Sequence, residues 1–220
     1  MVAQEWRRAE LTQNIMSEHT FEQGEAYLAG VDPVMARLIE MYGPYRQTPR
    51  SDYFAVLCES IVSQQLSVKA AASITSRVLL YFGGEWEPQA ILKAEEEDMR
   101  TLGLSRSKIA YMKDLAAFCV TGRLALDTFA DASNEEIVRR LIEVKGIGKW
   151  TAEMFLLFGM GRLNVYPIDD LGIKKAIQAN YNLDELPDKK QMLEIGTKWA
   201  PYETIASLYL WRSLNNKPAV

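Results

Sequence analysis

LIEVKGIGKWTAEMFLLFGMGRLNVYPIDDLGIKKA, residues Leu141–Ala176, joins a Gly-Ile-Gly turn between two amphipathic helical segments to an acidic pair at the head of a later helix. Gly146 and Gly148 flank Ile147, so the chain can turn sharply with positive φ and bring bare backbone N–H groups up to an anion. Lys149, Trp150 and Thr151 open the next helix, whose first amides and positive dipole end point the same way, with Lys145 and Lys149 adding charge. A phosphate is the anion this arrangement suits. None of these contacts reads a base, so the expected grip on nucleic acid is sequence-independent.

Outward from this stretch, apolar residues recur at helical spacing and runs of alternating β-branched residues are absent, which predicts an all-α chain with no sizeable sheet. Ser51 and Asp52 cap a helix through Tyr53, Leu57 and Ile61. A second helix runs over about 67–81 to the Gly83-Gly84 stop, and a third over about 88–101. Ser105 or Ser107 starts another, with Ile109, Met112, Leu115 and Phe118 on one stripe. Ser133 and Glu136 have the spacing of a capping box for residues 134–143. The second hairpin helix is expected over 149–158, followed by helices at about 171–181, 189–199 and 201–213. In the first fifty residues, which contain Gly24, Gly30, Gly43 and Pro44, one clear helix is expected at about 32–42. Too short to form a core alone, this segment is expected to pack with the C-terminal helices. That gives one lobe of 1–50 plus 182–220 and a central lobe of 51–181 carrying the hairpin at about 134–158.

At 220 residues and 48% hydrophobic, the chain can bury a real core. Cys58 and Cys119 lie far apart without a CxxC or Cys/His cluster, so neither zinc nor an iron–sulfur cluster is expected. The opening MVAQEWRRAELTQNI lacks the apolar centre of a signal peptide, and the longest apolar run, 154–160, is too short for a bilayer. A cytoplasmic monomer without membrane contact is therefore expected. The net charge of −4 argues against a general polyanion binder, since such affinity rests on several Lys or Arg contacts to phosphates. Lys69, Arg106, Lys108, Lys145, Lys149, Lys174 and Lys175 would have to be gathered on one face.

Asp170 is the leading candidate for chemistry. A carboxylate at a helix mouth is favoured in its charged form by the dipole and the first amides, and can stabilise a cation or orient water. The plain alternative is that Asp169 and Asp170 only cap the helix, as aspartate commonly does. The hairpin upstream, the interval and Pro167 favour the chemical reading.

GIGKWTAEMFLLF followed by VYPIDDLGIKKAI resembles the helix-hairpin-helix (HhH-GPD) DNA glycosylase superfamily, in its 3-methyladenine DNA glycosylase II branch, over about residues 50–215. The resemblance implies a two-lobed helical fold with the active-site cleft between the lobes. It makes Asp170 catalytic and Asp169 its capping neighbour. It places a phosphate of duplex DNA on Gly146, Gly148, Lys149 and Thr151, and in some members a monovalent cation on hairpin carbonyls, here those of Val144 and Ile147. SIVSQQLSVKAA is similar to the family's wedge region, with Leu66 intercalating beside Gln65. LGLSRSKIAYMKDLA resembles a further block whose Lys108 helps hold the backbone. Trp150 and Trp211 match pocket tryptophans, and Met154 stands where better-known relatives carry an aromatic ring.

The implied substrates are alkylated purines, 3-methyladenine and 7-methylguanine, in duplex DNA. They carry formal positive charge and so leave without protonation. A base inside a duplex must be flipped out before its glycosidic bond is accessible. Members that also cut the strand use a lysine nucleophile where this chain has Trp150, so a monofunctional hydrolase leaving an abasic site is expected. Two other classes stay open. One is a non-catalytic helix-hairpin-helix DNA-binding module, in which Asp170 and Leu66 would have no evident use; the other is a glycosylase for deaminated or oxidised bases.

Overall fold

A computed structural model describes residues 20–215, and among these there are helices and turns but no strand. The N-terminal stretch read above as unlike a leader lies outside the described residues. In chain order the α-helices are α1 (20–31), α2 (Pro33–Tyr42), α3 (Tyr53–Ser63), α4 (Val68–Tyr81), α5 (Pro88–Lys93) and α6 (Glu96–Thr101). They continue as α7 (Arg106–Val120), α8 (Asn134–Leu141), α9 (Lys149–Met154), α10 (Leu171–Asn180), α11 (Lys189–Gly196) and α12 (Glu203–Asn215). α9 runs on into a π-helical turn, Phe155–Gly159, where a single helix over 149–158 was expected.

Local chemistry starts most of these helices. Asp32, Asp52, Ser67, Ser105, Ser133 and Asp170 each accept a backbone N–H in the first turn of the helix that follows. The capping box expected at Ser133 is only half made, because Glu136 turns to Arg140 instead; a complete box forms at Asp188 and Gln191. The helix expected over 88–101 is two helices. Ala94 between them is extended (ψ 137°), and its carbonyl is taken by the Lys113 ammonium at 2.7 Å.

The Cα framework divides into two compact units, one made of the chain up to Pro49 and from Gly161 onward, the other Arg50–Met160. The boundary expected after residue 181 thus falls after Met160, because α10 packs on α12 and belongs with the chain ends. α1, which composition had obscured, has a reason for its glycine: a Cβ on Gly24 would sit 2.3 Å from Ile205 Cδ1, so the residue lets α12 approach. Leu28, Met35, Leu38, Ile173, Ile177, Ile205 and Tyr209 are buried in this unit. Its polar hub is Asp32, 1% exposed, which takes the Tyr181 hydroxyl, the Trp199 indole N–H at 2.9 Å and the Lys198 ammonium at 3.1 Å.

In the unit Arg50–Met160, α5 and α3 pack on α7, burying Leu57, Ile61, Ile91, Ile109, Met112 and Leu115. Each such side chain contributes about 1.5–3 kcal/mol. Phe155, at the start of the π-helical turn, meets Tyr53 and Phe129 edge-on at 5.5 and 6.0 Å and ties the hairpin's second helix to this core.

Candidate active site

The segment leading to Asp170 is strapped to the head of α12 by Thr204, 1% exposed. The Thr204 hydroxyl donates to the Arg162 carbonyl at 2.6 Å and accepts the Val165 amide at 3.0 Å, and the Thr204 amide donates to the Leu163 carbonyl at 2.9 Å. Tyr166 packs edge-on against Trp199 with ring centres 5.2 Å apart. Pro167 fixes φ, and its carbonyl receives the Asp170 N–H at 3.0 Å. The acid therefore arrives on a braced turn.

Asp170, not Asp169, is the N-cap of α10. Its Oδ1 accepts the Ile173 N–H at 2.8 Å and, from 41 residues along the chain, the Trp211 indole N–H at 2.9 Å. The cap falls on the residue singled out above for chemistry, because extended backbone at 170 (φ −69°, ψ 122°) brings that carboxylate over the first turn. Asp169 is exposed, while Asp170 and Trp211 are half-buried. Gly172 makes the pairing possible: a Cβ there would lie 2.9 Å from Asp170 Oδ1 and 3.2 Å from Trp211 Cδ1 and Nε1. Trp211 is thus both an aromatic face and the donor that orients the acid.

In the other unit, α8, the turn and α9 form the expected hairpin. Of its glycines only Gly146 has positive φ (+81°), and a Cβ there would lie 2.1 Å from the Tyr111 ring. Gly148, expected to share that conformation, is extended (φ −89°, ψ 173°) and caps α9 with no side chain; a Cβ there would meet nothing within 4 Å. Its bareness leaves open space in front of the amides that begin α9. Val144 and Ile147 are buried and anchor the turn, and the Val144 carbonyl accepts the Ile147 amide at 3.1 Å. Thr151 is buried. Lys149 pairs with the buried Glu153 at 3.4 Å. Trp150 is 51% exposed and Met154 half-buried.

The wedge candidates sit on the α3–α4 turn. Leu66 is 37% exposed, and Gln65 beside it is one of two non-glycine residues with positive φ among those described (+57°). Val68, 89% exposed, extends the apolar tip. Lys108 lies beneath the turn, its ammonium donating to the Val62 carbonyl at 2.7 Å; burial lowers its pKa from the ordinary lysine value. Sequence reasoning missed Gly172, Thr204, Val68 and Gln64, whose Nε2 donates to the Gly146 carbonyl at 2.8 Å. Nothing local signals Thr204 or Gln64, whose partners are distant in sequence, or Gly172, which acts by its bareness; Val68 reads as an ordinary apolar helix residue until its exposure is seen. Among the described residues no group of three or more His, Cys, Asp or Glu gathers as a metal site, and no helix is long and apolar enough to cross a membrane.

Residues 58–202 match the family model of HhH-GPD superfamily base excision DNA repair proteins. The chain is 34% identical to DNA-3-methyladenine glycosylase 1 of Schizosaccharomyces pombe, over 87% of this chain and 86% of that protein. It is 37% identical to the Bacillus subtilis protein YfjP over 74% of this chain, spanning 60% of that relative's length. Among solved structures, the Schizosaccharomyces pombe 3-methyladenine DNA glycosylase in complex with abasic DNA superimposes with a TM-score of 0.79 at 33% identity, covering 88% of this chain and 97% of that one. The DNA-3-methyladenine glycosidase of Bacillus halodurans gives 0.77 at 36% identity, covering 86% and 88%. With the hairpin, the wedge turn and the braced aspartate in one polypeptide, the chain belongs to the HhH-GPD superfamily of base excision DNA repair proteins.

Proposed function

We propose that this protein is a monofunctional DNA glycosylase that hydrolyses the N-glycosidic bond of alkylated purines such as 3-methyladenine and 7-methylguanine in duplex DNA, leaving an abasic site. The observation that carries the reading is the Asp170 carboxylate, held by the Ile173 amide and the Trp211 indole on a strapped turn at a half-buried position. An acid needed only as a cap has no use for a second donor from α12.

The base is already cationic, so the bond breaks with its electron pair passing to the purine, which leaves neutral. The deoxyribose becomes oxocarbenium-like. Asp170 stabilises that charge and orients water, whose oxygen bonds to C1′ as its proton passes to solvent. Trp211 meets the cationic base with an electron-rich face, an attraction of about 1–2 kcal/mol once desolvated; Trp150 and Met154 offer apolar surface to the same class of ligand. Gly146, Gly148, Lys149 and Thr151 hold a backbone phosphate through amides, Lys108 steadies the wedge turn, and Leu66 with Gln65 fills the gap left by the flipped nucleotide. The Val144 and Ile147 carbonyls are hard oxygen donors suited to a monovalent cation, with no transition metal required. Trp150 cannot form a Schiff base and the Lys149 ammonium is paired with Glu153, which supports hydrolysis without strand cleavage. The place of work is the cytoplasm, with the DNA.

The test is release of free 7-methylguanine from methylated duplex DNA by the wild-type protein and by Asp170→Asn. Release by the wild type alone, with the strand intact, supports the reading. Equal release by both would remove Asp170 from the mechanism.

A further inference from the structure

We propose that Gln64 is a positioning residue that locks the wedge turn to the phosphate-holding hairpin, so that Leu66 enters the duplex in register with the gripped phosphate. The inference rests on the glycosylase reading above and adds a role for a side chain to which that reading gives none.

The geometry begins with one peptide plane. The Gly146 carbonyl accepts Gln64 Nε2 at 2.8 Å, and across the same peptide the Ile147 N–H is held by the Val144 carbonyl at 3.1 Å. A trans peptide fixed at both edges cannot rotate. The amides that follow it, from Gly148 into α9, are therefore aimed by a residue 82 positions upstream.

The other end of the link is strained. Gln64 ends α3, and the next residue, Gln65, takes φ +57°, which for a non-glycine costs on the order of 1 kcal/mol or more and persists only where its surroundings impose it. The Gln64 amide to the Ile61 carbonyl (3.4 Å) and the Leu66 amide to the Ser63 carbonyl (3.1 Å) are the turn's own bonds, and the first is long. The Gln64 side-chain bond is the firmer anchor.

α7 braces both partners from one face. Lys108 donates to the Val62 carbonyl at the end of α3 (2.7 Å), the Tyr111 ring lies where a Gly146 Cβ would be, and Asp114 accepts the Lys145 amide at 2.8 Å. These residues are three apart on the helix. Wedge and hairpin thus share one foundation, with Gln64 as the direct tie.

The test measures the affinity for a duplex carrying a tetrahydrofuran abasic analogue relative to the undamaged duplex at one salt concentration, for wild type, Gln64→Met, Leu66→Ala and the double variant. Gln64→Met keeps length and volume but leaves the Gly146 carbonyl without its donor, and should cut the ratio by about 5- to 30-fold. Leu66→Ala should lower the wild-type ratio but change it by less than about twofold in the Gln64→Met background, because the wedge is already out of register. Gln64→Glu, isosteric and unable to donate, should repeat the result if Gln64→Met folds poorly. A merely structural Gln64 would lower the melting temperature and leave the two losses independent. Losses that multiply, or a Gln64→Met ratio within twofold of wild type, overturn the proposal. If the wild type neither prefers the abasic duplex nor releases 7-methylguanine, it is the glycosylase reading that has failed.

Discussion

Gly172→Ala should lower activity and stability together, through the loss of one hydrogen bond. A Cβ at this position would approach Asp170 Oδ1 to 2.9 Å and the Trp211 indole to 3.2 Å, so the carboxylate or the ring must shift by several tenths of an ångström. Either shift strains the 2.9 Å bond between Trp211 Nε1 and Oδ1. A hydrogen bond to a charged group is worth about 1.5–3 kcal/mol, so losing it where the acid must be oriented should slow the chemical step about 10- to 150-fold. The same bond counts in stability, where one smaller effect opposes its loss. Gly172 lies in the first turn of α10 without positive φ, and alanine at a compatible position stabilises by about 0.4–1 kcal/mol by restricting the unfolded chain. That gain is smaller than the lost bond, which leaves a melting temperature about 1–10 °C below wild type. The assay is single-turnover release of 7-methylguanine, with thermal unfolding on the same samples. Trp211→Phe, which keeps an aromatic face but has no N–H, is the control, and it should add little in the Gly172→Ala background. Full-rate release by Gly172→Ala would refute the reasoning; losses that multiply would show that the glycine acts by another route.

Asp170→Asn retains an Oδ1 acceptor for both the Ile173 amide and the Trp211 indole, so base release should fall below detection while binding to the abasic analogue stays within about threefold of wild type; a gel-shift titration beside the release assay checks both. Leu66→Ala should weaken binding to the abasic analogue more than binding to undamaged duplex in a salt-matched titration, and equal losses would count against the wedge. Burial pushes the Asp32 carboxyl up, but bonds from Tyr181, Trp199, Lys198 and the Val34 amide outweigh it and leave the pKa below the ordinary 3.8. A carboxyl lowered by folding adds stability above its unfolded value and loses it as pH falls through the folded one. The urea-midpoint gap between wild type and Asp32→Asn should therefore be widest above about pH 5 and narrow below about pH 4; a gap equal at pH 3 and pH 6 would exclude this origin.

What the sequence disclosed follows the range of the forces involved. The starts of α3, α4, α7 and α10 were legible because Asp52, Ser67, Ser105 and Asp170 bond amides three residues away. The break between α5 and α6 was not, since the Ala94 carbonyl is taken by Lys113 from a different helix. α1 was hidden because Gly24 reads as a helix breaker, whereas its lack of a side chain admits Ile205. The site divides in the same way. Asp170 and the Gly-Ile-Gly turn stand out as local patterns, but the Trp211 donor lies 41 residues from the acid and Gln64 lies 82 from Gly146. Gly172 gives no sign at all, because its contribution is the volume it leaves empty.

The sequence posed capping and catalysis as rivals at Asp170, and the geometry is compatible with both. A cap must accept the Ile173 amide, which fixes where Oδ1 sits over the first turn of α10; that position is the one the Trp211 N–H reaches. The helix start and the Trp211 donor therefore orient the acid together, and the strap from Thr204 sets the height at which the turn arrives. One consequence concerns substitution. Removing the side chain, as in Asp170→Ala, strips cap and acid together and should cost about 0.5–2 kcal/mol of stability along with all turnover. Asparagine separates the two because it retains the acceptor and loses only the charge. An inactive Asp170→Asn with the wild-type melting temperature, beside an inactive and less stable Asp170→Ala, would assign the chemistry to the charge and the fold to the acceptor.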